Sequence, residues 1–156
     1  MNFLNLLFIG LMLVSCGSTK ELSNNEESIS VDEITPSNPQ KNVKIKAILG
    51  DFKDSDTYEI KSVNIQGNTL FMEITYVGGC GIHQFELIGQ SMIIKTLPPK
   101  RSITLVHKNE DDSCRSIVTR ILEIDIKDLA FNQTPNAEII LMLKGWKNDI
   151  NYSFKI

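Results

Sequence analysis

The sequence predicts an all-β domain, an antiparallel β-sandwich of about seven or eight strands with an immunoglobulin-like outline. Three observations carry this expectation. Apolar and polar residues alternate with period two through most of the chain after residue 40. No segment there sustains a helical period over three turns. Turn-forming Gly, Pro and Asn pairs recur at the spacing of short strands.

Taken in order, Val43, Ile45, Ala47 and Leu49 alternate with Lys44 and Lys46, and Val63 and Ile65 run into a Gly67-Asn68 turn. Residues 69–77 give the clearest pattern. Leu70, Met72, Ile74 and Tyr76 share one face, while Thr69, Phe71, Glu73, Thr75 and Val77 share the other. Gly78-Gly79 ends that strand and Pro98-Pro99 marks a later turn. Leu122, Ile124 and Ile126 alternate with Glu123, Asp125 and Lys127, and a turn around Pro135 follows. Residues 139–143 are apolar on both faces, as in a central strand. A turn at 147–149 precedes Tyr152, Phe154 and Ile156, which close the pattern. No internal repeat is present, and residues 41–156 have the size of one domain.

The N-terminal part is different in kind. Phe3 to Val14 are almost wholly apolar, yet fall short of the about 20 residues a membrane span needs, so residues 1–15 read as a signal peptide. The stretch Leu13-Val14-Ser15-Cys16-Gly17 resembles the lipobox of bacterial lipoproteins, which implies lipidation of Cys16. The positive n-region is supplied only by the amino group of Met1. Residues 16–40 are rich in Ser, Asn and Glu and offer little to bury, the composition of a flexible tether with a reach on the order of 25 Å. Acyl chains at Cys16 would hold the chain to a membrane, giving a cell-envelope, outer-membrane lipoprotein on the periplasmic or surface face. A formal net charge of -3 argues against nucleic acid as a partner.

With Cys16 consumed by lipid, Cys80 and Cys114 remain as an even pair outside the cytoplasm, where such pairs oxidise. Strand parity adds two histidines. His83 shares its face with Phe85 and Leu87, and His107 shares its face with Ile103 and Leu105. If these strands pair antiparallel, both imidazoles fall at one end of the sheet, flanked by the two cysteines. A strand at 92–96 between them would instead separate the histidines.

Three chemistries compete at this point. One is a Cys80 to Cys114 disulfide with the histidines packed beside it, Gly78, Gly79 and Gly81 serving the tight backbone. Another is a tetrahedral zinc or copper site built from Cys80, His83, His107 and Cys114. The third makes Cys80 a nucleophile with His83 or His107 as its base, though no oxyanion-hole or nucleophile-elbow motif accompanies it. The acidic groups Asp51, Asp54, Asp56 and Glu59, and the run Glu110-Asp111-Asp112, match no calcium loop and read as solvated loops. Trp146 reads as an edge or core aromatic.

Residues 61–129 resemble a group of uncharacterised Gram-negative lipoproteins carrying a GGC-x-x-H-x-F-x-L segment, a later histidine and a D-x-C element. That resemblance supports location and architecture and implies no mechanism. The expectation is therefore a lipid-anchored extracytoplasmic module, not catalytic and without a cofactor, that binds an unknown protein or small ligand. A zinc- or copper-binding lipoprotein is the alternative.

Overall fold

The structure, a computed structural model, describes residues 42–156; the expected signal peptide, lipidation at Cys16 and tether lie outside the described residues. Alternation becomes strand wherever the sequence shows it most strongly. β1 (Val43–Lys46) and β2 (Ile48–Leu49) are followed by β3 (Glu59–Gln66), β4 (Thr69–Gly78) and β5 (Ile82–Gly89). β6 (Lys100–Glu110), β7 (Ser116–Asp125), a 3-10 turn at Lys127–Leu129, β8 (Glu138–Leu143) and β9 (Ile150–Ser153) complete the order.

The strands form two sheets, ordered β1-β7-β4-β3 and β2-β5-β6-β8-β9. Within this sandwich the β3/β4, β4/β7, β5/β6 and β8/β9 pairs are antiparallel, and β1/β7, β2/β5 and β6/β8 are parallel. The two-sheet outline matches the expectation, while the strand order is not that of an immunoglobulin domain.

The core lies between the sheets. β4 is its axis, burying Leu70, Met72, Ile74 and Tyr76 against Leu122 and Ile124 of β7. Leu87, Ile103, Leu105, Ile139, Leu141 and Tyr152 face them from the second sheet. Each such side chain contributes about 1.5 to 3 kcal/mol of burial. Trp146 is half-buried and packs on this core.

The first extended segment leaves one sheet and enters the other at Ala47, which is fully buried and donates its amide to Asp125 O at 2.8 Å. That crossing explains a departure from the sequence pattern. Beyond it the phase is lost, so Leu49, expected on the inward face, is 45% exposed. Ile156, expected to extend the last strand's pattern, lies past the end of β9 and is 97% exposed.

No strand forms at 92–96, where there is a single bridge between Ile94 and Lys100. β5 and β6 therefore pair directly, with Phe85 opposite His107 and His83 opposite Asn109. On its other edge β6 meets β8 only over Lys100 to Ile103. Residues 55–58 cover that edge beyond: Tyr58 donates to Leu105 O at 2.7 Å, the His107 amide to Ser55 Oγ at 2.9 Å, and the Asp56 amide to His107 O at 2.9 Å.

Candidate functional site

At one end of the sandwich the chain crosses between sheets twice, from β4 to β5 and from β6 to β7. A disulfide joins Cys80 in the first crossing to Cys114 in the second, with Cα atoms 5.8 Å apart and a sequence separation of 34. Closing a loop of that length contributes about 3 to 4 kcal/mol in the chain-entropy account.

Asp112 organises the same end. Its Oδ2 accepts the Cys80 amide at 3.0 Å and the Gly79 amide, and its Oδ1 accepts the Cys114 amide at 2.8 Å. The side chain is 0% exposed. The Gly81 amide foremost, with His83 and the amides of Cys114 and Cys80, holds this carboxyl well below the usual carboxylate range against the opposing effect of burial. Two glycines make the cradle sterically feasible. A Cβ on Gly78 would lie 2.6 Å from Asp112 Oδ2 and 2.7 Å from His83 Nε2, and one on Gly81 would lie 2.7 Å from Asp112 Cβ. Sequence reasoning set Asp112 aside as part of a solvated acidic run. The structure corrects that; the glycines around Cys80 and the D-x-C element that holds Asp112 and Cys114 were the signals available in the sequence.

The two histidines do converge, as parity predicts when β5 and β6 pair directly. His83 Nε2 lies 2.8 Å from Asp112 Oδ2, and His83 Nδ1 lies 2.9 Å from His107 Nε2. The imidazoles stack at 5.2 Å between centroids, His107 stacks on Phe85 at 5.0 Å, and Tyr76 packs 4.4 Å from His83 and 4.8 Å from His107. His107 is 1% exposed. Burial first, then the neighbouring His83, pushes its pKa down, while the Thr57 carbonyl and Asp56 oppose that shift. The Asp112 carboxylate accepts from His83 Nε2–H, and the other His83 nitrogen shares a proton with His107 Nε2. Among the described residues His107 Nδ1 is the one buried side-chain polar atom without a hydrogen-bond partner.

The four residues singled out as metal ligands thus meet at one end, but not as a ligand set. The sulfurs of Cys80 and Cys114 are bonded to each other, and His83 is engaged by Asp112. The closest cluster of ligand-type atoms is Cys80, Asp112 and Cys114, and its sulfurs are those of the disulfide. A sulfur bonded this way is equally unable to serve as the thiolate nucleophile.

Beside the histidines a cleft of about 510 Å³ opens, lined among others by Asp56, Tyr58, Glu59, Tyr76 and His107. Val77 and Ile117, paired across β4 and β7, also line it and are 57% and 79% exposed.

No family model matches the chain, and no curated protein does. Among solved structures the fold is similar to that of a NigD-like immunity protein from Bacteroides caccae, with a TM-score of 0.53 at 15% identity over 72% of this chain and 63% of that one. A protein of unknown function, DUF1344, from Bacteroides vulgatus aligns with a TM-score of 0.49 at 15% identity over 73% of this chain and 57% of that one. The chain spans less than two thirds of either structure, and identity at this level bears on the fold alone.

Proposed function

We propose that this chain is a lipid-anchored, extracytoplasmic module that binds another protein and performs no chemistry of its own. The observation that carries the reading is the Val77 and Ile117 pair. These two apolar side chains stand opposite each other on the outer face, largely exposed, and the disulfide lies three residues from each. Apolar surface held on a rigid frame favours association because little freedom remains to be lost on binding. The resemblance of the fold to a NigD-like immunity protein supports a binding role. The lipobox-like segment at Cys16 supports attachment to the cell envelope. Asp112 and His83 already have partners within the chain, which supports a structural rather than a catalytic use of both.

A photo-crosslinking residue placed at Ile117 in the full-length chain tests the binding part in cells. A defined protein adduct is expected from Ile117 and none from the exposed control position Asn148; indistinguishable adducts at the two positions would sink the reading. The anchor is tested separately by metabolic labelling with a palmitate analogue, which should be lost in Cys16→Ser.

A further inference from the structure

The end of the sandwich opposite the disulfide carries a second exposed apolar surface. Two loops meet there, residues 90–99 between β5 and β6 and residues 130–137 before β8. Arg101 ties them together, donating to the carbonyls of Gln90 and Ser91 in the first and to Leu129 O, at 3.1 Å, where the second begins. The first loop is also closed on itself: the Ile94 amide donates to Lys100 O at 2.8 Å and the Lys100 amide to Ile94 O at 3.0 Å. Leu97 stands at the tip of that turn and is 99% exposed. Met92 is 84% exposed, and Ile94 and Phe131 are half-exposed. Leu97 and Phe131 line one cleft of about 510 Å³, whose walls include Pro98, Pro99 and Pro135 and a single charged side chain, Glu138.

Large apolar side chains held outward on fixed loops lose little freedom when they enter an apolar medium. The charges around them narrow down that medium. Lys46 is paired with Asp128 and Lys100 with Asp149, which leaves Lys95, Lys127 and Lys155 exposed and without a carboxylate partner among the described residues. Lys95 lies between Ile94 and Leu97, Lys127 opens the turn that leads to Phe131, and Lys155 Nζ donates to Asn136 Oδ1 at the cleft at 2.9 Å. Against these three cations stand Glu138 and Asp125, the latter already accepting the Lys127 amide. An apolar tip rimmed by lysines matches a phospholipid surface, where the apolar groups enter the acyl boundary and the ammonium groups stay among the phosphates.

The described chain also begins near this end. Asn42 donates to Glu123 at 2.6 Å, and Val43 pairs with Leu122, three residues from the end of β7 that leads into these loops and six from its start at the disulfide end. Acyl chains at Cys16 would hold the domain within the tether's reach of the bilayer, so the loops need only orient it, and at such proximity a weak contact suffices.

We propose that Met92, Ile94, Leu97 and Phe131 dock on the phospholipid surface of the membrane that holds the anchor, which turns Val77 and Ile117 at the opposite end toward the partner protein. This rests on the lipid-anchored part of the reading above.

The test places a photo-crosslinking residue at Leu97 or at Phe131 in the full-length chain, in cells grown with radioactive phosphate. Ile82, an exposed apolar residue at the disulfide end, is the control position. A phosphate-labelled, phospholipase-sensitive adduct is expected from Leu97 and from Phe131, stronger than from Ile82 by about fivefold or more. Leu97→Asp should weaken the Phe131 adduct by about fivefold or more, and Ile82→Asp should leave it unchanged; both side chains are exposed, so neither substitution threatens the fold. Equal phosphate labelling at Leu97 and Ile82, a protein adduct in place of the lipid at Leu97, or a Phe131 adduct undiminished by Leu97→Asp would each overturn the docking. Incorporation of the palmitate analogue without a phosphate-labelled adduct at Leu97 overturns the docking and leaves the anchor standing. Loss of both labels overturns the two together.

Discussion

β6 buries a basic side chain at each end of the sandwich, Arg101 near its start and His107 near its finish, and the two ends treat them differently. Arg101 is 5% exposed and is met by main-chain oxygens: Nε donates to Leu129 O at 3.1 Å, and Nη1 donates to the carbonyls of Gln90 and Ser91. No buried atom of that side chain lacks a partner. Gly89 leaves room for it, since a Cβ there would lie 2.5 Å from Leu129 Cδ2 and 3.1 Å from Arg101 Cδ. His107 is tied by one nitrogen to His83 and through it to Asp112, and its other nitrogen is unmet. A buried polar group whose bonds are all made within the chain closes a structure, whereas one left open implies either a cost or a ligand. The comparison gives the arginine end a side chain satisfied wholly within the chain and the histidine end one with a nitrogen still open.

Removing the disulfide tests the comparison most severely. Cys80→Ser with Cys114→Ser is expected to lower unfolding stability by about 3 to 4 kcal/mol in urea denaturation. A loss under about 1 kcal/mol would mean that the Asp112 cradle alone holds the histidine end. Arg101→Met comes next. It keeps most of the buried stem but leaves the Leu129 and Gln90 carbonyls without their donor, for an expected loss of about 2 kcal/mol, and it should leave the Ile117 crosslink intact. An Arg101→Met variant that kept full stability but lost the crosslink would show that the buried arginine matters to binding and not to closure.

The smallest effect is in the pH dependence of Tm. Burial holds the His107 pKa down in the folded chain, so the unfolded chain binds the proton first. This contribution to stability is complete above the unfolded histidine value of about 6.5 and declines as pH falls below it. The Asp112 carboxyl is held low by the Gly81 amide and its other donors, so its contribution is present above the unfolded value of about 3.9 and is lost as pH falls further. Two successive acid-side declines are expected in the wild type. Asp112→Asn should abolish the lower one and keep the upper one, and Arg101→Met should keep both.

Much of this was readable from local pattern, and what was not depends on distant partners. The alternation of Leu70, Met72, Ile74 and Tyr76 reports burial directly, because side-chain direction in a strand is fixed by parity. The same parity put His83 and His107 on the inward phase, and only the absence of a strand at 92–96 was needed to bring them to one end. Parallel pairings such as β1 with β7 join residues about eighty positions apart, and nothing local in either segment specifies the other. The sheet change at Ala47 was hidden for the same reason, since the residue continues the apolar phase while the chain leaves the sheet. Asp112 was the most consequential omission. A carboxylate in an acidic loop ordinarily stays in water, and only the amides of a different loop make it a buried anchor.

The switch at Ala47 also bears on the order of folding. The segment that contributes to both sheets is the first part of the domain in the sequence, yet its partners are Leu122 to Asp125 in one sheet and Ile88 to Gly89 in the other. A chain emerging N-terminus first holds β1 without its neighbour until β3 to β6 and then β7 have been delivered. The hairpin of β3 and β4 can form early, because its two-residue turn at Gly67 and Asn68 closes locally. The sheet edge nearest the N-terminus is completed through long loop closure, which predicts that its pairing forms slowly compared with the hairpins.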